Sequence, residues 1–569
     1  MNIKNSLTNP FFVLVKHFVL RLFNNDILTF ENERRERVIA ILAMLAIAGG
    51  FIARHLLSSY LYPQLSGASV DNVWTEKAAF LTLTMALTGL FTVINRDNIF
   101  LDRKDYLNLL VLPVNLTTLF AAKFFSILIF VGILSLAFNL FALVVFTFFL
   151  ADLVGVNIFY FGFVHFITNF LANLFVFLAV ACIQAVFTLL SGNRLFQKLA
   201  NLVQVMLLVG FISVFAWLPQ IYGRLPHLKA TFSSFMVYFP PFWFTGMYEK
   251  MVGSKEIIFD IHLYIALLAL VVPAGLYFLG IPLTFKRLLI SAPNGKKSSR
   301  FSSIFHVIKQ GFNAVFLRNP IQRGMFYFIC HTLRRSRFHK LQLTLYMGLP
   351  VSYILTGLVF SYAKGRLSAL ETPNGFLISI PLLLYFFLVV GVRMVVRHPF
   401  LLEANWVFKM TEDDDKKHYV RGLKKSLFGF AGVPLFILMF VFYLYCWGFR
   451  LALYHSLYSW AIFLLLVEIF FAAYKKIPFA GTHDPGKPNL KVYGIFYLAL
   501  FIQYIVSLSA LGEMLLNNPG NYLIFFVLIM GFKLLLVLKR YQMYRREDFH
   551  FIYDEEEPEP LMLTLNLNN

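Results

Sequence analysis

The sequence predicts an all-α membrane protein, a polytopic helical bundle of about twelve transmembrane helices in two six-helix halves. Three observations predict it. Of the 569 residues, 59% are hydrophobic and only 14% charged, against roughly 25% charged in a soluble domain. That much apolar surface does not fit inside a soluble core, so a bilayer has to act as the solvent. The 67 Phe residues agree, because a lipid-facing helix exposes them without aggregating. The basic residues gather in short segments between apolar runs. The net charge of +21 therefore reads as a positive-inside bias and not as a nucleic-acid face, and no nucleic-acid partner is expected.

A helix crosses the hydrocarbon core in about 20 residues. Before the first such run, Phe11–Phe30 is amphipathic, with Phe11, Val15, Phe18, Leu22 and Phe23 between Lys16, His17 and Arg21. It reads as a helix lying in the cytoplasmic interface. The first half, residues 1–290, then carries runs at Val38–Leu57, Ala78–Ile94, Phe124–Leu150, Phe166–Leu190, Ala200–Leu218 and Leu263–Phe285. The boundary is Ser/Lys-rich and Gly/Pro-punctuated, at Ser291–Ser303. The second half, residues 291–569, carries Leu341–Ser361, Phe376–Val392, Leu427–Gly448, Leu457–Tyr474, Val492–Leu511 and Leu523–Leu538. It ends in an acidic tail, Asp554–Glu559. Each half opens on a basic lead-in, with a substantial cytoplasmic segment after its second span and a shorter one after its fourth. That is the plan of parallel repeats. With the N-terminus inside, roughly 40 of the 50 Lys and Arg residues fall on the cytoplasmic side, so both termini are expected to be cytoplasmic. Met1 to Val38 has no signal-peptide pattern, so the first span is expected to direct insertion. Cys182, Cys330 and Cys446 have no spacing that implies disulfides or zinc.

The motifs offer no enzyme. GTHDPGKP, Gly481–Pro488, matches most of a phosphate-binding loop, but Pro488 stands where Ser or Thr must ligate magnesium, and no strand precedes it. HExxH, GxSxG and paired CxxC patterns are missing. His331 and His339, eight apart in a basic segment, are expected to be solvated or interfacial. Two ionisable residues fall within spans, Glu468 and Lys533. Such groups are functional candidates, against the plainer reading that they pair with each other or snorkel. Asn169, Asn173, Gln184, Gln204 and Gln503 either line a path or tie helices together. A proton-driven carrier needs titratable groups along its pathway. Their sparseness, and their absence from the third span, place the energy source elsewhere and favour an apolar or amphipathic substrate of unknown identity. Two cytoplasmic segments set apolar or aromatic residues in a charged rim, Leu101–Lys123 and Glu403–Glu412 with Trp406 and Phe408. They suit either a protein partner or anchoring against lipid. Outside, Tyr238–Lys250 gathers Pro240, Pro241, Trp243 and Phe244 into a short re-entrant or surface element.

With these segments the chain resembles the membrane subunits of bacterial ABC-2-type transporters, in particular large permeases of about twelve spans. The blocks that carry the resemblance are DRKDYLNLLVLPV followed by AAK at Ala121–Lys123, PPFWFTGMYE, FYFICHTLRRSRFHK, GVRMVVRHPFLLEANWVFKMTE and KKIPFAGTHDPGK. They run in order from Asp102 to Lys487, and the acidic tail with LMLTLNL also fits. The resemblance implies cytoplasmic helices that dock on separate ATPase subunits, here around Asp102, Arg103, Asp105, Leu112 and Pro113, and around Asn405, Trp406 and Glu412. It implies that ATP and Mg are held by those partners, in two copies, and that this chain binds no cofactor of its own. It also implies export across a bacterial cytoplasmic (inner) membrane. Two rivals stand beside it. One is a twelve-span secondary transporter, whose Gly-rich basic pattern the loop after the second span lacks. The other is a non-transporting scaffold subunit of an ABC-like complex.

Overall fold

The computed structural model describes residues 9–23, 34–61, 73–99, 114–189, 194–222, 225–226, 234–290, 310–363, 371–398, 410, 417–472, 474, 477–479 and 490–544. All of their regular secondary structure is helical, with no strand among them. The chain divides into two compact units, Met1–Lys296 and Lys297–Asn569.

Unit 1 holds α1 (Pro10–Phe23), α2 (Arg34–Leu56), α3 (Val73–Ile94), α4 (Leu116–Val154), α5 (Ile158–Leu189), α6 (Arg194–Tyr222), α7 (Pro240–Val252) and α8 (Ile257–Ile290). The amphipathic lead-in forms α1, ending at Phe23. Its buried face, Leu14, Val15 and Phe18, packs on Leu119 and Ala122 at the start of α4. Lys123 places its ammonium 4.5 Å from the Phe18 ring. Phe12, Val13 and Leu20 stay exposed on the other side, an apolar surface suited to acyl chains.

Unit 2 holds α9 (Pro320–Arg335), α10 (Arg337–Ala363), α11 (Gly375–Val395), α12 (Lys417–Leu427), α13 (Val433–Phe470), α14 (Leu490–Asn517) and α15 (Tyr522–Tyr544). A π-helical turn, Phe428–Gly432, joins α12 to α13.

Among the described residues, eleven helices are long and apolar enough to cross a membrane. The sequence predicts about twelve, and the difference lies in α13. At Gly448 the backbone takes φ 74° and ψ 174°, a conformation essentially restricted to glycine, and the helix turns back on itself. Phe436 and Trp460 would stand about 36 Å apart in a straight helix; their rings are 5.2 Å apart. Tyr443 and His455 meet at 4.7 Å. The expected spans Leu427–Gly448 and Leu457–Tyr474 are thus the two arms of one helical hairpin.

The second membrane-length helix is the most enclosed in each unit. The central windows of α3 and α11 are 78% and 72% buried, against 56% or less elsewhere. The Thr residues of α3 explain how a helix of modest hydropathy sits there. Thr82 donates to the Ala78 carbonyl at 2.6 Å, Thr84 to Leu81 at 3.0 Å and Thr92 to Thr88 at 2.6 Å. Each hydroxyl is satisfied within its own helix, so burial leaves no open donor.

Helices α2 and α4 touch through glycine. A Cβ at Gly49 would lie 2.0 Å from the Phe138 carbonyl oxygen, and one at Gly50 2.8 Å from the Phe141 Cβ. Small residues permit such backbone approach where lipid gives helices no hydrophobic drive to associate. Replacing Gly49 by Ala is expected to force the helices apart and cost about 1–3 kcal/mol. Thermal unfolding in detergent checks this, and an unchanged midpoint would refute the close approach.

Candidate functional site

In unit 1 the site is built on the first turn of α3. The sequence places a span from Ala78, but the helix begins at Val73 and carries Glu76 and Lys77 into the interior. Lys77 is 1% exposed. Its ammonium pairs with Glu249 Oε1 of α7 at 2.8 Å and lies over the Tyr248 ring, 4.7 Å from its centre. The Tyr248 hydroxyl shares a hydrogen bond of 2.9 Å with His165 Nδ1 of α5. The His165 ring stacks on Phe146 at 4.8 Å, and its Nε2 meets no hydrogen-bond partner among the described residues. Glu76 accepts from Thr75 at 2.9 Å and from the Tyr222 hydroxyl. Burial and the Glu76 carboxylate together hold the Tyr222 phenol above its ordinary range.

A polar ladder continues along α5, because His165, Asn169 and Asn173 recur every four residues on one face. Thr84 donates to Asn169 Oδ1 at 3.3 Å, and Asn173 Nδ2 donates to Ser135 Oγ at 2.6 Å. Asn139 Nδ2 reaches the Ser135 carbonyl at 2.8 Å. The ladder ties α3, α4 and α5 together. Elsewhere, Gln204 Nε2 donates to the Val93 carbonyl at 3.1 Å and binds α6 to α3. Gln184 is buried, while Gln503 is largely exposed and donates to Ser507 of its own helix. The arrangement holds charge in a low-dielectric core and places an exchangeable proton between Tyr248 and His165.

The element predicted at Tyr238–Lys250 is α7, with Pro240 and Pro241 in its first turn, where a missing N–H costs nothing. Trp243 Nε1 donates to the Val237 carbonyl at 2.6 Å, and Trp243 and Phe244 both set their rings against Phe175 of α5, at 5.7 and 5.5 Å. Phe244 is fully buried, so α7 packs within unit 1. It is the same short helix that delivers Tyr248 and Glu249 to Lys77. A Cβ at Gly246 would lie 2.2 Å from the His262 Cβ, which fixes α7 tightly against α8.

In unit 2, Glu468 and Lys533 do not pair directly. Glu468 Oε2 accepts from Lys424 of α12 at 2.5 Å and from Arg540 of α15. Lys533 acts on this carboxylate only through its charge. One carboxylate thus joins α12, the second arm of α13, and α15.

His331 is exposed, as expected. His339 is 1% exposed and corrects the expectation that it is solvated or interfacial. Its Nδ1 shares a 2.6 Å hydrogen bond with Ser336, and its Nε2 lies 3.2 Å from the His398 carbonyl. Gln342 Nε2 lies 3.0 Å from His398 Nδ1. Phe479 sets its ring 4.9 Å from His339, and its N–H donates to the Val396 carbonyl at 2.7 Å. Phe479 has φ 62°, a left-handed conformation uncommon for an aromatic residue. Three sequence blocks, ending α9, α11 and α13, therefore meet at one point. Hydrogen bonds of His339, Gln342 and Phe479 hold that point together, and sequence periodicity does not report it.

The expected coupling residues Asp102, Arg103, Asp105, Leu112, Pro113, Asn405, Trp406 and Glu412 lie outside the described residues, as does Gly481–Pro488. No group of three metal-ligating side chains converges among the described residues. Comparison with protein-family profiles, with curated proteins and with solved structures gave no match.

Two outcomes follow. Lys77→Met or Glu249→Gln alone strands a buried charge or removes its partner, and should cost about 3–5 kcal/mol. The double variant should regain most of that, as read from detergent unfolding; additive losses would show that the two residues act independently. The second outcome concerns His398, which burial and the Arg397 charge hold below the ordinary imidazole range. As pH falls through about 6.5, the unfolded chain takes up a proton that the folded chain refuses, so stability declines. Melting between pH 8 and pH 5 should fall more steeply for the wild type than for His398→Gln, and equal slopes would remove His398 from the account.

Proposed function

We propose that this chain is the membrane permease subunit of an ABC-2-type transporter, an exporter of the bacterial cytoplasmic membrane that is energised by separate ATPase subunits. Its multi-pass helical architecture is the frame such a permease requires. The observation that carries the reading is the joint at Glu468. Helix α12 starts five residues after Glu412, just beyond the segment read as an ATPase contact. Lys424 of α12 shares the Glu468 carboxylate with Arg540, so a displacement delivered to α12 passes to two membrane helices at once. The π-turn at Phe428–Gly432 sits between α12 and α13, a local irregularity of the kind often found at functional sites. ATP closure on the partners would bias the membrane helices between inward- and outward-accessible states. ATP and Mg belong to those partners.

A second reading has its own support. A proton-driven carrier needs buried titratable groups, and Lys77, Glu249, Tyr248 and His165 supply such a set in unit 1. In that reading ATP is not required.

The test is retention of the partner. Membranes expressing the tagged chain should yield an ATPase with a phosphate-binding loop on mild-detergent purification. Trp406→Glu and Pro113→Glu should each lower its recovery about tenfold, equivalent to 1.4 kcal/mol of lost contact, while the chain still inserts. Equal recovery with both variants would overturn the coupling assignment.

A further inference from the structure

Helices α9 and α12 form a two-helix layer in unit 2. Their buried faces interlock. Gln322, Met325, Phe326, Ile329 and Leu333 of α9 meet Tyr419, Val420, Leu423 and Leu427 of α12, and a Cβ at Gly422 would lie 2.7 Å from the Met325 Cβ. The opposite face is cationic. Arg323, Arg334 and Arg335 of α9, Arg421 of α12, and Arg318 just before α9 are all exposed. The charges of Arg421 and Arg318 both bear on Lys425. None of the five arginines makes an ion pair among the described residues. The two helices carry no acid of their own, since Asp and Glu are missing from Ile261 to Leu370 and from Lys416 to Val467; the nearest acidic run, Glu412–Asp415, ends two residues before α12. Glu468, which contacts α12, is already taken by Lys424 and Arg540.

We propose that the acidic tail of this same chain, Asp554–Glu559, docks on the cationic face of α9 and α12. Charge complementarity supplies the first argument. Asp554, Glu555, Glu556, Glu557 and Glu559 place five carboxylates in six residues, opposite two helices that carry arginine and no acid of their own. Position supplies the second. Arg540, in the last turns of α15, binds the same Glu468 oxygen as Lys424 of α12, so α15 ends beside the layer. From its last residue, Tyr544, to Asp554 is ten residues, a reach of up to about 33 Å. Helix α12 is about 16 Å long. The acidic block therefore reaches any point of the face without rearranging a helix. Docked there, the tail neutralises the layer and keeps it from anionic lipid headgroups. The inference holds whether ATP or a proton gradient drives the chain.

Disulfide capture in the full-length protein tests this. With Cys182, Cys330 and Cys446 replaced by Ala, Gly324→Cys marks the face, in open space around its Cβ, and Pro558→Cys marks the tail without removing a carboxylate. Val315→Cys, at an exposed position, is the second marker if the first variant folds poorly. In phosphatidylcholine nanodiscs the pair should cross-link quickly at 50 mM salt. The rate should fall at least about fivefold at 0.5 M salt, where the screening length shrinks to a few ångströms. It should fall equally when the five tail carboxylates are converted to amides. A rate indifferent to salt and amidation would overturn the proposal, as would one no faster than with Leu523→Cys at the opposite end of α15. Loss of the cross-link in nanodiscs containing phosphatidylglycerol would also overturn it, and would assign the face to anionic lipid headgroups.

Discussion

A charge inside hydrocarbon finds no water, so its partner has to come from the protein itself. In this chain that constraint selects the points where helices are tied. Lys77 has Glu249 and the faces of Tyr248 and Phe161; Glu468 has Lys424 and Arg540. Each pairing recruits helices distant in sequence, and each is costly to break, because removing one partner leaves the other buried and uncompensated. The remaining polar groups obey the same rule at lower stakes. The Thr hydroxyls of α3 bond within their own helix, and the Asn side chains of α5 reach neighbours on α3 and α4. Packing by Phe and Leu fills the space between these ties but does not choose them.

Most of the architecture was legible in the sequence, because a run of about 20 apolar residues has few alternatives to a membrane helix. The ionisable site in unit 1 was not legible, and the reason is specific. Lys77 stands one residue before the expected second span and His165 one residue before the fourth, while Glu249 lies in a segment read as external. A hydropathy window ends at a charge, so it excludes the residues that helix ends carry inward. Pairing was equally invisible. Glu468 and Lys533 attract notice because both lie within apolar runs, yet the partners of Glu468 sit outside those runs, on an amphipathic helix and at the last turns of α15. The Gly448 hairpin shows the converse. Composition gave two spans separated by a polar interruption, and the structure keeps nearly continuous helical bonding through it, with one glycine absorbing the reversal. His339 misled because a basic neighbourhood in sequence says nothing about which side of a helix faces a second helix.

The two ties have different mechanical characters. The unit 1 cluster is held between α3, α5 and α7 against the rings of Phe146, Phe161 and Tyr248, and suits a fixed element or a proton relay. The Glu468 joint sits where an amphipathic helix, a π-turn and a membrane hairpin meet, an arrangement through which, in the permease reading, displacement would pass from α12 into the membrane helices. That contrast is why the permease reading follows the unit 2 contact, rather than the unit 1 cluster, into the membrane helices. It is also why the cluster in unit 1 is the natural home of the rival reading, since a carrier driven by protons would have to use groups such as His165 and Tyr248.

The composition of the native complex decides most directly between a permease served by ATPases and a carrier that works alone. Native mass measurement of the tagged chain, released from its own membrane in mild detergent, should give one copy of this polypeptide with two copies of an ATPase that carries a phosphate-binding loop. A polypeptide that stays alone under the same conditions, and moves solute in vesicles under a proton gradient without ATP, would contradict the permease reading and leave the unit 1 cluster as the engine.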